Sequence, residues 1–351
     1  MSSLSKHDID ERVKLAAEAY LYGYPLVYNL REIAKFPSGP NLVGPEPLPY
    51  NTFGYARHLL DPTAQFVSPN NDTLYLVAMC DVRNGPLVLH VPDTADRYYV
   101  LQFVDAWTNN FAYIGRRATG TAEARFLLAG RGYAGDVPED MRVIHAPTGV
   151  FAIVGRIAVD GVADLPAAHA LQDLFTLTPL SAYQRGGAAG AVSGVPVADP
   201  RVGEDLAWWE AFRVALAAFP PPPADAPFLA VCEQLGLTAA ESPYIDPEPA
   251  LAQVLVAGQK AAEAKLEELI TTAAKPVNGW QNTLHLFNYN GDYFEIGALN
   301  RPEWVMADRQ VAYATRAVAA RAGLWGNHGY EAAYQIVYVD ADNQLLDRSH
   351  T

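Results

Sequence analysis

A chain of 351 residues is more than one hydrophobic core ordinarily fills, so two or three packed units are expected. Its 39 acidic against 25 basic residues give a net charge of -14. With no basic stripe to offset it, such a surface repels phosphate backbones and anionic bilayers, which argues against nucleic-acid and membrane partners.

The N-terminus, MSSLSKHDIDERVKLAAEAY, places charges where a secretion signal needs an apolar core, and no apolar run is long enough to cross a bilayer. A cytoplasmic protein is expected. The two cysteines, Cys80 and Cys232, lie far apart and form no CxxC pair, so neither a zinc ribbon nor a disulfide scaffold is indicated.

Residues 8–36 read as a helix, capped by Asp8 or Asp10, with Val13, Ala16, Ala17, Tyr20 and Leu21 at helical spacing. Pro25 kinks it or splits it in two. The loop SGPNLVGPEPLPYN, 38–51, denies the backbone a regular ladder and must be pinned by side chains such as Leu42, Leu48 and Tyr50.

From about 66 to 160 the pattern changes to short apolar runs between turn signals. TLYLVAMC, GPLVLHV, RYYVLQFVD, FAYIGRR, ARFLLAG, MRVIHA and VFAIVGRIAV read as strands, a spacing that indicates a sandwich or barrel. After Val159 the chain turns alanine-rich. DLPAAHALQDLFTLTPL carries a short helix stopping near Pro179, and residues 182–196 read as a mobile glycine- and alanine-rich loop. Helices follow at 205–219, 225–239, 248–274 and 302–323. The tail AAYQIVYVDADNQLLDRSHT reads as a strand, a turn and the start of a second strand. The expected division is N-terminal helices and Pro-rich loop over 1–60, a β domain over 61–162, a helical segment over 163–275 and a partial second β unit over 276–351.

Chemistry-bearing motifs are sparse. The eight histidines never form HxH or HExxH, DADNQ lacks the features of an EF-hand, and GxSxG, GxGxxG and Walker loops are absent. No metal or cofactor is expected. The densest polar pattern is DRYYVLQFVDAWTNNFAYIGRR, 96–117. Alternation puts Arg97, Tyr99, Leu101, Phe103 and Asp105 on one face and Tyr98, Val100, Gln102 and Val104 on the other. Gln102 needs hydrogen-bond partners if buried, and Asp105 is positioned to meet Arg116 or Arg117 across the hairpin. One reading is a structural ion pair and a satisfied amide. The other is a polar-tipped aromatic pocket at a barrel mouth, with Tyr99, Trp107, Asn110 and Tyr113 around it. In QFVSPNNDTLY, Asn70, Asn71 and Asp72 are either ligands at such a site or the turn that starts a strand.

As a set, AYLYGYPLVYN, SPNNDTLY, GPLVLHVPDTADRYYVLQFVDAWTNNFAYIGRRATG, GRIAVDG and LQDLFTLTPL resemble the DUF1254/DUF1214 family of uncharacterised bacterial proteins. VNGW at 277–280 and residues 314–347 resemble its linker and the start of its second domain. The resemblance implies tandem jelly-rolls with helical additions, and no activity to carry over. The expected fold is therefore α+β: a jelly-roll-like antiparallel β-barrel or sandwich, N-terminal helices, a helical middle and a short partial second β unit. Against the family pattern, most of the second barrel is missing after LLDRSHT. The C-terminal strands are then expected to pair with another copy or with a separately encoded C-terminal barrel chain.

Two functions follow. The first is a scaffold, assembly or binding module with small-molecule binding. The second is an enzyme acting on a small, partly apolar substrate. Its catalytic candidates are Asp72, Asp105, Tyr99 and Tyr113; its substrate-binding candidates are Asn70, Asn71, Arg97, Gln102, Trp107, Asn110 and Arg116.

Overall fold

The structure, a computed structural model, describes residues 6–60, 70–185, 192–272 and, in a C-terminal helical segment, 314, 316–318, 320 and 321. The seven strands read from the sequence are all present: Thr73–Asp81 (β2), Leu87–Val91 (β3), Tyr99–Asp105 (β4), Asn110–Gly115 (β5), Ala124–Gly130 (β6), Met141–Ala146 (β7) and Val150–Ala158 (β8). Two short strands join them, Gly54–Tyr55 (β1) and Thr176–Pro179 (β9). One sheet has the order β1-β2-β8-β4-β5 and the other β7-β6-β3-β9. The α+β expectation holds, with two facing sheets in place of a closed barrel. One pair departs from an antiparallel design, since β6 and β7 run parallel.

The helices are Lys6–Lys35 (α1), Leu165–Gln172 (α2), Leu180–Arg185 (α3), Ala207–Ala218 (α4), Ala226–Gln234 (α5) and Pro249–Thr272 (α6). Pro25 lies inside α1 without splitting it. Side chains on both sides of it, Tyr22 and Leu26 among them, bury into one core, which offsets the missing backbone hydrogen bond. The helix expected to run toward Pro179 stops at Gln172. Residues 176–179 instead pair with β3, because Thr176, Leu177 and Thr178 suit a pleated edge better than a helix. The helix expected over 225–239 ends at Gln234, and Gly236 follows at φ +80°. Of the helix expected at 302–323, the described residues from 314 to 321 are helical. The tail strands, VNGW and residues 186–191 of the expected loop lie outside the described residues.

Two cores share the five-stranded sheet. Between the sheets lie Leu76, Leu89, Tyr99, Leu101, Phe103 and Phe151. On the opposite face, Tyr75, Val77, Met79, Val104 and Val154 pack with α1, α4, α5 and α6. Every residue of β2 is buried, which is why TLYLVAMC reads as an unbroken apolar run rather than an alternation. Each fully buried Leu, Val or Phe contributes roughly 1.5–3 kcal/mol. Two glycines permit close approach. A Cβ on Gly258 of α6 would lie 2.4 Å from that of Ala16 on α1, and one on Gly155 of β8 would lie 2.6 Å from the Leu76 side chain. The loop 38–51 is anchored by Leu48, buried, and by Leu42 and Tyr50, partly buried.

Candidate functional site

Strand register sorts the polar side chains of the five-stranded sheet. Tyr75 of β2 lies opposite Arg156 of β8, and Arg156 opposite Val100 of β4. In the next row, Val154 lies opposite Gln102, and Gln102 opposite Tyr113 of β5. Tyr75 and Val154 belong to the helix-side core, so these rows point to the helix side and extend it past the cover of the described helices. There Gln102, Asn110 and Arg156 are half-buried, and Tyr113 is 48% exposed.

Each group on this face has a defined orientation. The Gln102 Nε2 donates to Asn110 Oδ1 at 2.8 Å. Asn70 Nδ2 reaches the Tyr75 hydroxyl at 2.8 Å, while its Oδ1 accepts from the Thr73 backbone N–H at 3.0 Å and from the Thr73 hydroxyl. Asn70 thus closes the turn into β2 and also orients a tyrosine on the face. Partial burial raises the Tyr113 phenol above its ordinary value, offset by the Asn110 amide. The Arg156 guanidinium lies 5.3 Å from the centroid of the Tyr75 ring. Among the described residues it has no carboxylate and no hydrogen-bond acceptor. Stacking uses the flat face of a guanidinium and leaves its five N–H donors available.

The end of β4 is arranged differently. Asp105, Trp107, Thr108 and Asn109 are fully buried. Asp105 Oδ1 accepts from the Asn109 backbone N–H at 2.8 Å, and Asn109 Nδ2 donates to Oδ2 at 3.0 Å. Burial pushes the Asp105 carboxyl up to about 6, opposed by the Asn109 hydrogen bonds and by the Arg316 charge. Thr108 sits at φ +67°, a conformation that L-residues adopt at a cost. The turn is tied down from several elements. Asn29 of α1 donates to the carbonyls of Asp105 and Ala106 at 2.9 and 3.1 Å. Trp107 Nε1 donates to the Phe219 carbonyl at 2.9 Å, and the Ala106 N–H to the Thr148 hydroxyl at 2.9 Å. Arg316 donates to the Trp107 carbonyl at 3.2 Å, to Thr108 and to Asn109 Oδ1 at 3.2 Å.

The remaining candidates lie apart from both places. Arg97 pairs with Asp164, Nη2 to Oδ1 at 2.8 Å, and this pair holds the Asp164 carboxyl at about 2. Tyr99 is buried between the sheets, its hydroxyl donating to the Gly120 carbonyl at 3.2 Å. Arg116 meets Asp96, not Asp105, with Nη2 to Oδ2 at 2.8 Å. The expected Asp105–Arg116 pair fails because Asp105 turns into the core while Arg116 stands on the surface. Asn71 and Asp72 are exposed in the turn before β2. The structure therefore brings together Gln102, Asn110 and Tyr113 on β4 and β5, sets Asn70 against Tyr75 at the start of β2, and gathers Asp105 and Trp107 elsewhere. Arg156 and Tyr75 were missed. The available signal was a charge inside the otherwise apolar VFAIVGRIAV, on the same strand face as Ala152 and Val154.

A half-open cleft of about 470 Å³ lies between the β2–β3 turn, residues 50–52 and α3. Asp81 at its edge is already engaged: Arg83 Nε meets Oδ1 at 2.9 Å, and the Ser193 and Gly194 N–H groups bond Oδ2 at 3.2 and 3.0 Å. Burial alone would raise its carboxyl, but Arg83 brings it below its ordinary value. Both cysteines are buried, and burial pushes their thiols up, Cys232 to about 12. Among the described residues no group of three or more His, Cys, Asp or Glu is placed to hold a metal ion. No helix among them is long and apolar enough to cross a membrane.

Residues 50–179 match the family described as a protein of unknown function, DUF1254. No curated protein matches the chain. The crystal structure of the VPA0106 protein from Vibrio parahaemolyticus is similar, with a TM-score of 0.66 at 23% identity over 97% of this chain and 74% of that one. That likeness concerns the fold. An uncharacterised protein from Burkholderia cenocepacia is 14% identical over 68% of this chain and 66% of its own, with a TM-score of 0.27, too low to bear on the fold.

Proposed function

For a chain whose residues 50–179 carry the DUF1254 signature, we propose a small-molecule binding module whose site is the polar and aromatic part of the helix-side sheet face. The observation that carries this reading is the contrast in unspent hydrogen bonding. Among the described residues no acceptor meets the Arg156 donors beside the Tyr75 ring, and the phenol of Tyr113 stands near Asn110, all on one sheet. A site built on strands with oriented neighbours is preorganised, so little side-chain entropy is lost on binding. The catalytic alternative draws less support. Asp105 is fully buried and both its oxygens are bonded to Asn109, which leaves no open approach for a substrate.

The test is a thermal-shift screen of the full chain against small organic acids, amides and alcohols. We expect stabilising compounds whose effect is lost in a Gln102→Ala, Tyr113→Ala double variant and kept in Ser181→Ala, which alters the cleft at α3. Stabilisation insensitive to the double variant but lost in Ser181→Ala would overturn this reading.

A further inference from the structure

We infer that the ligand of this face is a small monoanionic carboxylate with a flat, largely apolar body, its carboxylate held by the edge of the Arg156 guanidinium. This rests on the reading of the sheet face as a binding site and adds the chemical class.

The charge argument comes first. Arg57 and Arg97 are partly buried and Arg213 is buried, and each holds a carboxylate, Asp173, Asp164 and Glu210; the more exposed Arg83 holds Asp81. Arg156 is also partly buried and, among the described residues, holds none. Taking a guanidinium partly out of water without an anion is unfavourable, and a bound carboxylate supplies the missing partner with matching bidentate geometry.

The neighbours set the amount of charge. Around Arg156, the side chains of Tyr75, Val100, Val154 and Gln102 are all uncharged. One cation matches one negative charge. A phosphate dianion ordinarily draws on several cations or a helix N-terminus, and the net charge of -14 further disfavours it.

The body of the ligand follows from the spacing. Arg156 on β8 and Tyr113 on β5 are separated by two strand intervals and by two residues along the strands, roughly 12 Å between Cα atoms. Val100 and Val154 lie between and beside them, and the Tyr113 ring stands at the far side. A single aromatic ring bearing a carboxylate fills that span. Its ring lies on the valines, and its far edge approaches the Gln102–Asn110 amide pair and Tyr113.

The experiment is isothermal titration calorimetry of the full chain with benzoate, its neutral isostere benzamide, and phenyl phosphate. We expect saturable benzoate binding, with benzamide weaker by about tenfold, the scale of a charge-assisted hydrogen bond. Arg156→Gln should abolish that preference and Arg156→Lys should retain part of it, with circular dichroism melts showing both variants folded. If Arg156→Gln does not fold, the Arg156→Lys comparison alone carries the test. Equal binding of benzoate and benzamide, both weakened by Tyr113→Ala, would overturn the carboxylate class and leave the binding face standing. Tighter binding of phenyl phosphate than benzoate would overturn the monoanion. Failure of all three probes, with no small molecule from the thermal-shift screen sensitive to the face, would overturn both.

Discussion

Gln102 and Asp105 stand three residues apart on β4 and meet opposite fates. Gln102 is half-buried on a sheet face that also carries an arginine with no carboxylate or acceptor among the described residues. Asp105 sits in a turn where Asn29, Asn109, Thr148 and Arg316 each spend a polar group on the backbone or on the carboxylate itself. Both places are rich in residues that a sequence reading associates with chemistry. The difference lies in what is left over. Buried polar groups that satisfy one another fix a structure, whereas donors left unspent at a semi-open face have capacity for a ligand.

The sharpest break between the two regions is in stability. Trp107→Ala should cost about 3–5 kcal/mol, since it empties a fully buried site against Tyr22 and removes the hydrogen bond to Phe219. Arg156→Gln should change stability by less than about 0.5 kcal/mol, because among the described residues it makes no ion pair or hydrogen bond to lose. Urea denaturation of the two variants compares them directly. Similar losses would show that Arg156, too, belongs to the packed structure.

A second difference is in pH dependence. Asp105 titrates at about 6 when folded against 3.8 as its reference, so between those values the folded chain holds a proton that the unfolded chain has released. Stability therefore falls as pH rises through that window, by on the order of 3 kcal/mol, and levels above it. Asp105→Asn should remove that slope. Asp81 has the opposite sign. Its folded carboxyl is lowered, so its contribution is present above its unfolded value and is lost as pH falls further. Chemical denaturation from pH 4 to 7 checks the first. An unchanged slope in Asp105→Asn would place the proton elsewhere.

Much of the architecture was legible because short apolar runs between turn residues are a local signal. The seven strands read from the sequence follow from it, while α4 follows from helical propensity and period. What was not legible depends on distant parts of the chain. Thr176–Pro179 looks like the end of a helix until β3 supplies an edge to pair with. The turn at Trp107 receives Arg316 from more than two hundred positions away, so its polar residues read as a pocket mouth when they are in fact enclosed. Of the eleven site candidates, Gln102, Asn110 and Tyr113 share the helix-side face, and simple alternation along β4 places Gln102 there. The arginine that completes the face lies on the same alternation as Ala152 and Val154, but a lone charge near a strand end usually marks exposure and so does not stand out as a site residue.

A third contrast is between Asp81 and the sheet face. Asp81→Asn leaves Arg83 without its carboxylate and weakens the grip on the Ser193 and Gly194 amides, so a loss of about 1–3 kcal/mol is expected, measured by urea denaturation at pH 7. A variant as stable as the parent would mean that the 193–194 loop does not depend on this anchor.

The smallest effect is the most informative about the face itself. Gln102→Met keeps the length and most of the volume of the side chain while deleting the amide bonded to Asn110. Because both residues are half-buried, Asn110 regains water as a partner, and the stability change should stay within about 0.5 kcal/mol. If the amide pair belongs to a binding site, the same substitution weakens benzoate in calorimetry by more than it weakens the fold. If the pair is part of the structure in the way that Asn109 and Asp105 are, the order reverses: the melt shifts and whatever binds at Arg156 is untouched. One conservative change at the middle of β4 thus separates a polar group kept for the fold from one kept for a ligand.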